Sequence, residues 1–253
     1  MTKVIAICNQ KGGIAKTTTA VSLATGLISL EKSTLLIDTD AQCNSTDTYR
    51  AVTKDTATLY DLLLDDGDLE ECIQHTKVGD IIAGDKLLAS AEQRFPQDPS
   101  RYFVMKQKLQ TLEDKYDYVI IDTPPALGVI LSNVLTYASE CIIPLTCDRY
   151  SIQGVNELLH TINSVRSYTN RELMIKGILV CKYHKNFNNH KSIVRNLTDI
   201  TQKLGTKVFN AKIRESLACV KSQEQRMSIF EYDKKSTTAQ DYLEFCKEII
   251  EEN

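Results

Sequence analysis

The sequence predicts an α/β protein: a doubly wound, mostly parallel twisted sheet flanked by helices on both faces. Three observations lead there. Short apolar, β-branched runs alternate with longer stretches of helical period along all 253 residues. The runs are almost continuously apolar, as strands buried on both faces are. Residues suited to holding phosphate come directly after several of these runs, at the carboxyl edge where open α/β sheets bind their ligands.

In chain order the predicted strands are "KVIAIC" (3–8), "TLLID" (34–38), "GDII" (79–82), "YVIID" (118–122), "CIIPLT" (141–146), "GILVC" (177–181) and "KVFNA" (207–211). Helices are expected over 16–30, 100–115, 130–138, 151–168, 191–204 and 236–251. No repeat, low-complexity linker or proline-rich hinge interrupts the pattern, so 1–253 is expected to form a single domain. No apolar run approaches the roughly 18 to 20 residues that a membrane helix needs. The start of the chain lacks the layout of a signal peptide, and a cytoplasmic location is expected. Eight cysteines show no C-x-x-C pair and no histidine at ligand spacing, which favours reduced, mostly structural thiols.

Charge is unevenly spread. Residues 1–175 carry 16 basic and 23 acidic side chains, residues 176–226 carry 11 and 3, and residues 227–253 carry 3 and 7. The local excess of +8 in the middle segment is what a polyanion partner would meet.

The stretch "NQKGGIAKTTT" (9–19) sits between a predicted strand and a predicted helix. It departs from G-x-x-x-x-G-K-[ST], with Gln10 and Ala15 where that pattern has glycine. Gly12 and Gly13 nevertheless allow a tight turn whose N–H groups face an anion at the helix N-terminus. Lys16 would then reach the β- and γ-phosphates and the Thr17 hydroxyl would bind Mg²⁺. Contacts to nucleotide are expected from Gly12, Gly13, Ile14, Ala15, Lys16, Thr17 and Thr18. "LLIDTDAQ" delivers Asp38 and Asp40 to the same edge, and "VIIDTPP" ends in Asp122, a carboxylate of Walker-B type.

Together "KGGIAKTTT", "LLIDTDAQCNST", "VIIDTPPALGVILSNVLTYAS" and "IFEYDKKSTTAQDYLEFCKEI" resemble the ParA/MinD family of deviant-Walker ATPases. The likeness is greatest to the ParA-type (Soj-like) partition ATPases that move plasmids and chromosomes. It runs from Lys3 to about Ile250 in the family's order and spacing. The resemblance implies a P-loop NTPase fold, ATP and Mg²⁺ as ligands, and weak ATPase activity. It gives Lys11 the part of the signature lysine, reaching the nucleotide of a second subunit in an ATP-dependent sandwich homodimer. Lys11, Lys16 and Asp40 become the catalytic candidates, with Asp40 positioning the attacking water. Thr17, Asp40 and Asp122 become the metal candidates, with Asp38 shaping their surroundings. Adenine contacts are implied around Cys181–Lys182 and Ile213–Arg214.

The resemblance also implies non-specific binding of double-stranded DNA by the basic segment, through Lys182, Lys185, Lys191, Arg195, Arg214 and Lys221. Hydrolysis would be stimulated by a ParB-type partner, and the protein would associate with the nucleoid. Only ten residues precede the loop, so no N-terminal helix-turn-helix domain is expected. The acidic end of "AQDYLEFCKEIIEEN" argues against a membrane anchor, which needs Lys and Arg on its polar face. The alternative is a MinD-like or other cargo-positioning ATPase acting at a membrane or protein scaffold. Two departures stand out: Ala15 replaces the usual glycine, and Ala41 replaces a common proline. Alanine at position 15 costs about 1–2 kcal/mol if the backbone there is left-handed.

Overall fold

The computed structural model describes residues 2–112, 114–184, 197, 201 and 205–251, with the backbone alone for 149–154 and 156. Its strands are β1 (Lys3–Ile7), β2 (Thr34–Asp38), β3 (Ile73–His75), β4 (Asp80–Ile82), β5 (Tyr118–Asp122), β6 (Glu140–Thr146), β7 (Met174–Tyr183) and β8 (Val208–Arg214). They form one sheet in the order β3-β4-β2-β5-β1-β6-β7-β8. Every neighbouring pair is parallel except β3 with β4.

Alternation along the central strands divides the core into two layers. Val4 and Ala6 of β1, with Cys8 just after it, join Val119 and Ile121 of β5 in one layer, which α6 (Val129–Tyr137) and α7 (Arg149–Tyr168) cover. Ile5 and Ile7 join Tyr118 and Ile120 in the other, beneath α1 (Lys16–Ser29) and α10 (Thr237–Glu251). Both faces being covered explains why these strands read as unbroken apolar runs. All eight cysteines are free thiols, and Cys8, Cys141 and Cys181 are fully buried.

The register aligns the site. Asp38 at the end of β2 lies beside Asp122 at the end of β5, and Ile7 at the end of β1 lies on Asp122's other side. The loops that leave these strands therefore meet at one edge.

Two expectations need correction. The single helix expected over 100–115 is broken into a 3₁₀ turn (Pro99–Tyr102), α5 (Val104–Leu109) and a second 3₁₀ turn (Gln110–Leu112). At the break the Asn133 side chain takes over a backbone partnership. Its amide donates to the Arg101 carbonyl at 2.7 Å, and its oxygen accepts from the Met105 N–H at 3.1 Å. In an unbroken helix those two backbone groups would bond each other. The last two strands also run past their expected bounds, β7 spanning Met174–Tyr183 against 177–181 and β8 reaching Arg214 against 207–211. β3 was not expected; three residues are too few to show a period. Shorter helices also went unseen: α2 (Asn44–Tyr49), α3 (Leu59–Leu64), α4 (Leu69–Cys72), α8 (Leu217–Glu224) and α9 (Ile229–Asp233). Most of the helix expected over 191–204 lies outside the described residues.

Candidate functional site

The loop between β1 and α1 is anchored at its start by Asn9, whose amide donates to the Pro144 carbonyl at 2.8 Å. The Asn9 side-chain oxygen accepts the Lys11 N–H at 3.1 Å. Gly13 adopts φ 73° and Ala15 adopts φ 74°, ψ 29°, both left-handed. Position 15 thus does need the conformation that glycine holds most easily, and alanine carries the strain. Positive φ on either side of Ile14 folds the loop into a concavity of the kind that gathers N–H groups around an anion. The Ile14 side chain is buried, so its contribution is its backbone. α1 begins without a side-chain cap, which leaves its first turn to an anionic ligand.

Lys16 is 7% exposed and donates to the Lys11 carbonyl at 3.1 Å. Burial lowers its pKa, and the negative charges of Asp122 and Asp40 oppose that drop. These carboxylates are locked by groups that follow β2 in sequence. The Asp38 carboxylate accepts the Thr46 N–H at 2.9 Å, the Thr46 hydroxyl at 2.8 Å and the Asp40 N–H at 3.1 Å. Asp122 accepts the Ser45 hydroxyl at 2.8 Å through Oδ2, while its buried Oδ1 has no hydrogen-bond partner among the described residues. Both carboxylates are fully buried. Burial pushes Asp122 up to about 8, reinforced by the charge on Asp38, while the hydroxyls of Ser45 and Thr17 act the other way. Burial likewise raises Asp38 to about 6, against the bonds from Thr46.

An enclosed carboxylate oxygen beside a threonine hydroxyl suits a magnesium ion. Mg²⁺ takes one or two protein carboxylates and completes its shell with water and substrate oxygens. Thr17 and Asp122 could hold it, with Asp40 nearby. Among the described residues no group of three His, Cys, Asp or Glu side chains forms a self-sufficient metal cage.

A cavity of about 460 Å³ opens over the loop, a size suited to a small organic ligand. Gly12, Gly13, Ala15, Lys16, Thr17, Thr18 and Asp40 line one side of it, and Lys182, Ile213 and Arg214 line another. The predicted nucleotide residues on the loop and on the late strands are thereby brought to one space. Arg214 reaches it with its guanidinium already engaged by Asp241 at 2.6 Å. Lys11 points elsewhere: its ammonium bonds both oxygens of Asp148, just after β6, at 2.8 and 2.9 Å. Lys182 donates to the Gly13 carbonyl at 2.9 Å, which places it on the loop. Lys221 lies exposed on α8. Lys185, Lys191 and Arg195 lie outside the described residues.

Several working residues were not singled out from sequence. Ser45 and Thr46 hold the two buried carboxylates, Asp148 holds Lys11, and Gln223 donates to the Thr18 hydroxyl at 2.6 Å. The hydroxyl pair was visible in "DTDAQCNST", directly after the acidic residues. Asp148 and Gln223 act across 137 and 205 residues of chain, beyond any local signal.

Comparison with known proteins adds to this geometry. A family model described as an AAA domain matches residues 2–175. The sporulation initiation inhibitor protein Soj of Bacillus subtilis is 34% identical over 252 residues, covering 98% of each chain. The chromosome partitioning protein ParA of Myxococcus xanthus is 32% identical over 252 residues, covering 98% of this chain and 88% of its own. Among solved structures, the cobyrinic acid a,c-diamide synthase of Mycobacterium smegmatis with bound ADP and magnesium superposes with TM-score 0.84 at 30% identity. That match covers 99% of this chain and 94% of the other.

Proposed function

The chain belongs to the ParA/MinD family of ATPases, and from that premise we propose that it works as a nucleotide-switched partition ATPase of ParA type. Its ligands are ATP and Mg²⁺, in keeping with the nucleotide and magnesium of the related structure. The observation that carries the reading is a phosphate loop with two lysines in different situations. Lys16 is buried among carboxylates beneath the loop, whereas Lys11 stands about one-third exposed at its rim.

In hydrolysis the loop N–H groups and Lys16 bind the β- and γ-phosphates and stabilise the charge that develops on the transferred group. Asp40 lines the same cavity and orients a water for attack on the γ-phosphorus, while the bond to the β-phosphate oxygen breaks. Thr17 and Asp122 would hold magnesium, which would supply charge neutralisation for the phosphate oxygens. Lys11 completes the arrangement from a second subunit, so that ATP and dimer formation depend on each other.

The ATP dimer binds DNA without sequence preference through the basic segment, and hydrolysis stimulated by a ParB-type partner releases it. Exposed Lys221 on α8 supports this reading among the described residues. Arg214 is a weaker contributor, because Asp241 already neutralises its charge. Repeated capture and release on the nucleoid would then move plasmid or chromosome.

The test is binding to random-sequence duplex DNA with ATP, with ADP and without nucleotide, at two salt concentrations. Binding that needs ATP, weakens steeply with salt and disappears in Lys16→Ala is the expected result. Equal binding in all three states would leave a basic surface with no switch, and the proposal would fail.

A further inference from the structure

Lys182 occupies an unusual place. Pairing between β7 and β8 slips at the carboxyl end: Val180 faces Lys212, while Tyr183 faces Arg214. Three steps along β7 thus match two along β8, a bulge that re-aims the extra side chain. Lys182 lies inside this bulge with a left-handed φ of 51°, which costs energy in any residue but glycine. The result of this local strain is a single aimed contact, the ammonium 2.9 Å from the Gly13 carbonyl. Lys182 also borders both the cavity over the loop and a second one of about 340 Å³, which Lys11 lines too.

We propose that Lys182 is a positioning residue that clamps the Gly13–Ile14 peptide so that the Ile14 N–H faces the nucleotide phosphates. In a planar trans peptide the carbonyl and the following N–H point in opposite directions. Fixing the Gly13 oxygen on Lys182 therefore fixes the opposite heading of the Ile14 N–H. That peptide lies between two left-handed residues, Gly13 and Ala15, and Ala15 holds its conformation under strain. An external ammonium offsets this tendency to rearrange. The bond is made by a charged donor, the stronger class of hydrogen bond. The inference rests on the reading that this loop holds nucleotide phosphate.

The test measures MgATP and MgADP binding and thermal melting for the wild type, Lys182→Met, Lys182→Arg and Lys182→Gly. Lys182→Met weakens both nucleotides by about tenfold, the scale of a lost charged hydrogen bond. In turnover the loss appears in KM rather than kcat, and Lys182→Arg recovers most of it. Lys182→Gly separates the clamp from a merely structural role. It relieves the left-handed strain, so it melts no lower than wild type while binding as weakly as Lys182→Met. If Lys182→Met binds like wild type, or Lys182→Gly loses melting temperature and affinity together, the clamp is overturned. Failure of the wild type itself to bind MgATP would instead overturn the nucleotide reading, and the clamp with it.

Discussion

Ala15 shows how a single methyl group can matter at the phosphate loop. Its φ of 74° costs an L-residue about 1–2 kcal/mol. Glycine removes that cost but gives the unfolded chain extra freedom worth about 0.4–1 kcal/mol. Ala15→Gly should therefore stabilise the protein by about 0.5–1 kcal/mol, read as a higher midpoint in denaturant. A lower midpoint would mean that the loop does not keep this conformation in solution. The sequence raised a left-handed backbone at this position only as a condition, through the glycine usual there in the resembling family, and the φ of Ala15 meets that condition. The partners of the buried carboxylates were half legible. Ser45 and Thr46 stand in the quoted segment, yet which acid each would hold depends on β2 and β5 lying side by side.

At the scale of elements, the sheet's last edge is closed by side chains. Among the described residues β8 borders β7 on one side only, and α10 packs along it. Glu248 accepts the N–H groups of Asn210 at 2.9 Å and Ala211 at 3.0 Å, and Asp241 accepts that of Arg214 at 2.8 Å. Carboxylates on these three edge N–H groups make the edge a poorer template for another strand. Glu248→Ala should cost about 1–2 kcal/mol, since these are charge-assisted bonds near solvent. It should also raise light scattering at equal concentration. A variant of unchanged stability that stays monodisperse would show that the cap is incidental. The helices α1, α6, α7 and α10 were legible because a sustained apolar face repeats along each. The break after Tyr102 was not, because its cause, Asn133, lies about thirty residues away on another helix.

Across the whole molecule, two carboxylates buried at the sheet's working edge tie stability to pH. In the unfolded chain they titrate near 3.9, whereas in the fold Asp122 rises to about 8 and Asp38 to about 6. Between those limits the folded state holds protons that the unfolded state has released, so stability falls as pH rises. The melting temperature of the nucleotide-free protein should drop from about pH 5 to about pH 8. Asp122→Asn should flatten that slope, and so should Mg²⁺ with ATP, by favouring the charged carboxylates. A melting temperature that climbs across the window would contradict the assignment. The pairing of Lys11 with Asp148 bears on assembly. An ammonium that bonds both oxygens of Asp148 has to give up at least part of that pairing to turn toward a phosphate in another subunit. In the proposed two-fold dimer the same exchange of partners would occur once in each subunit. Each release costs no more than about 1 kcal/mol, as partly exposed ion pairs do, so the pair delays assembly without forbidding it. Lys11 would thus act as a light latch, held by Asp148 in the lone subunit and turned to the phosphate in the pair.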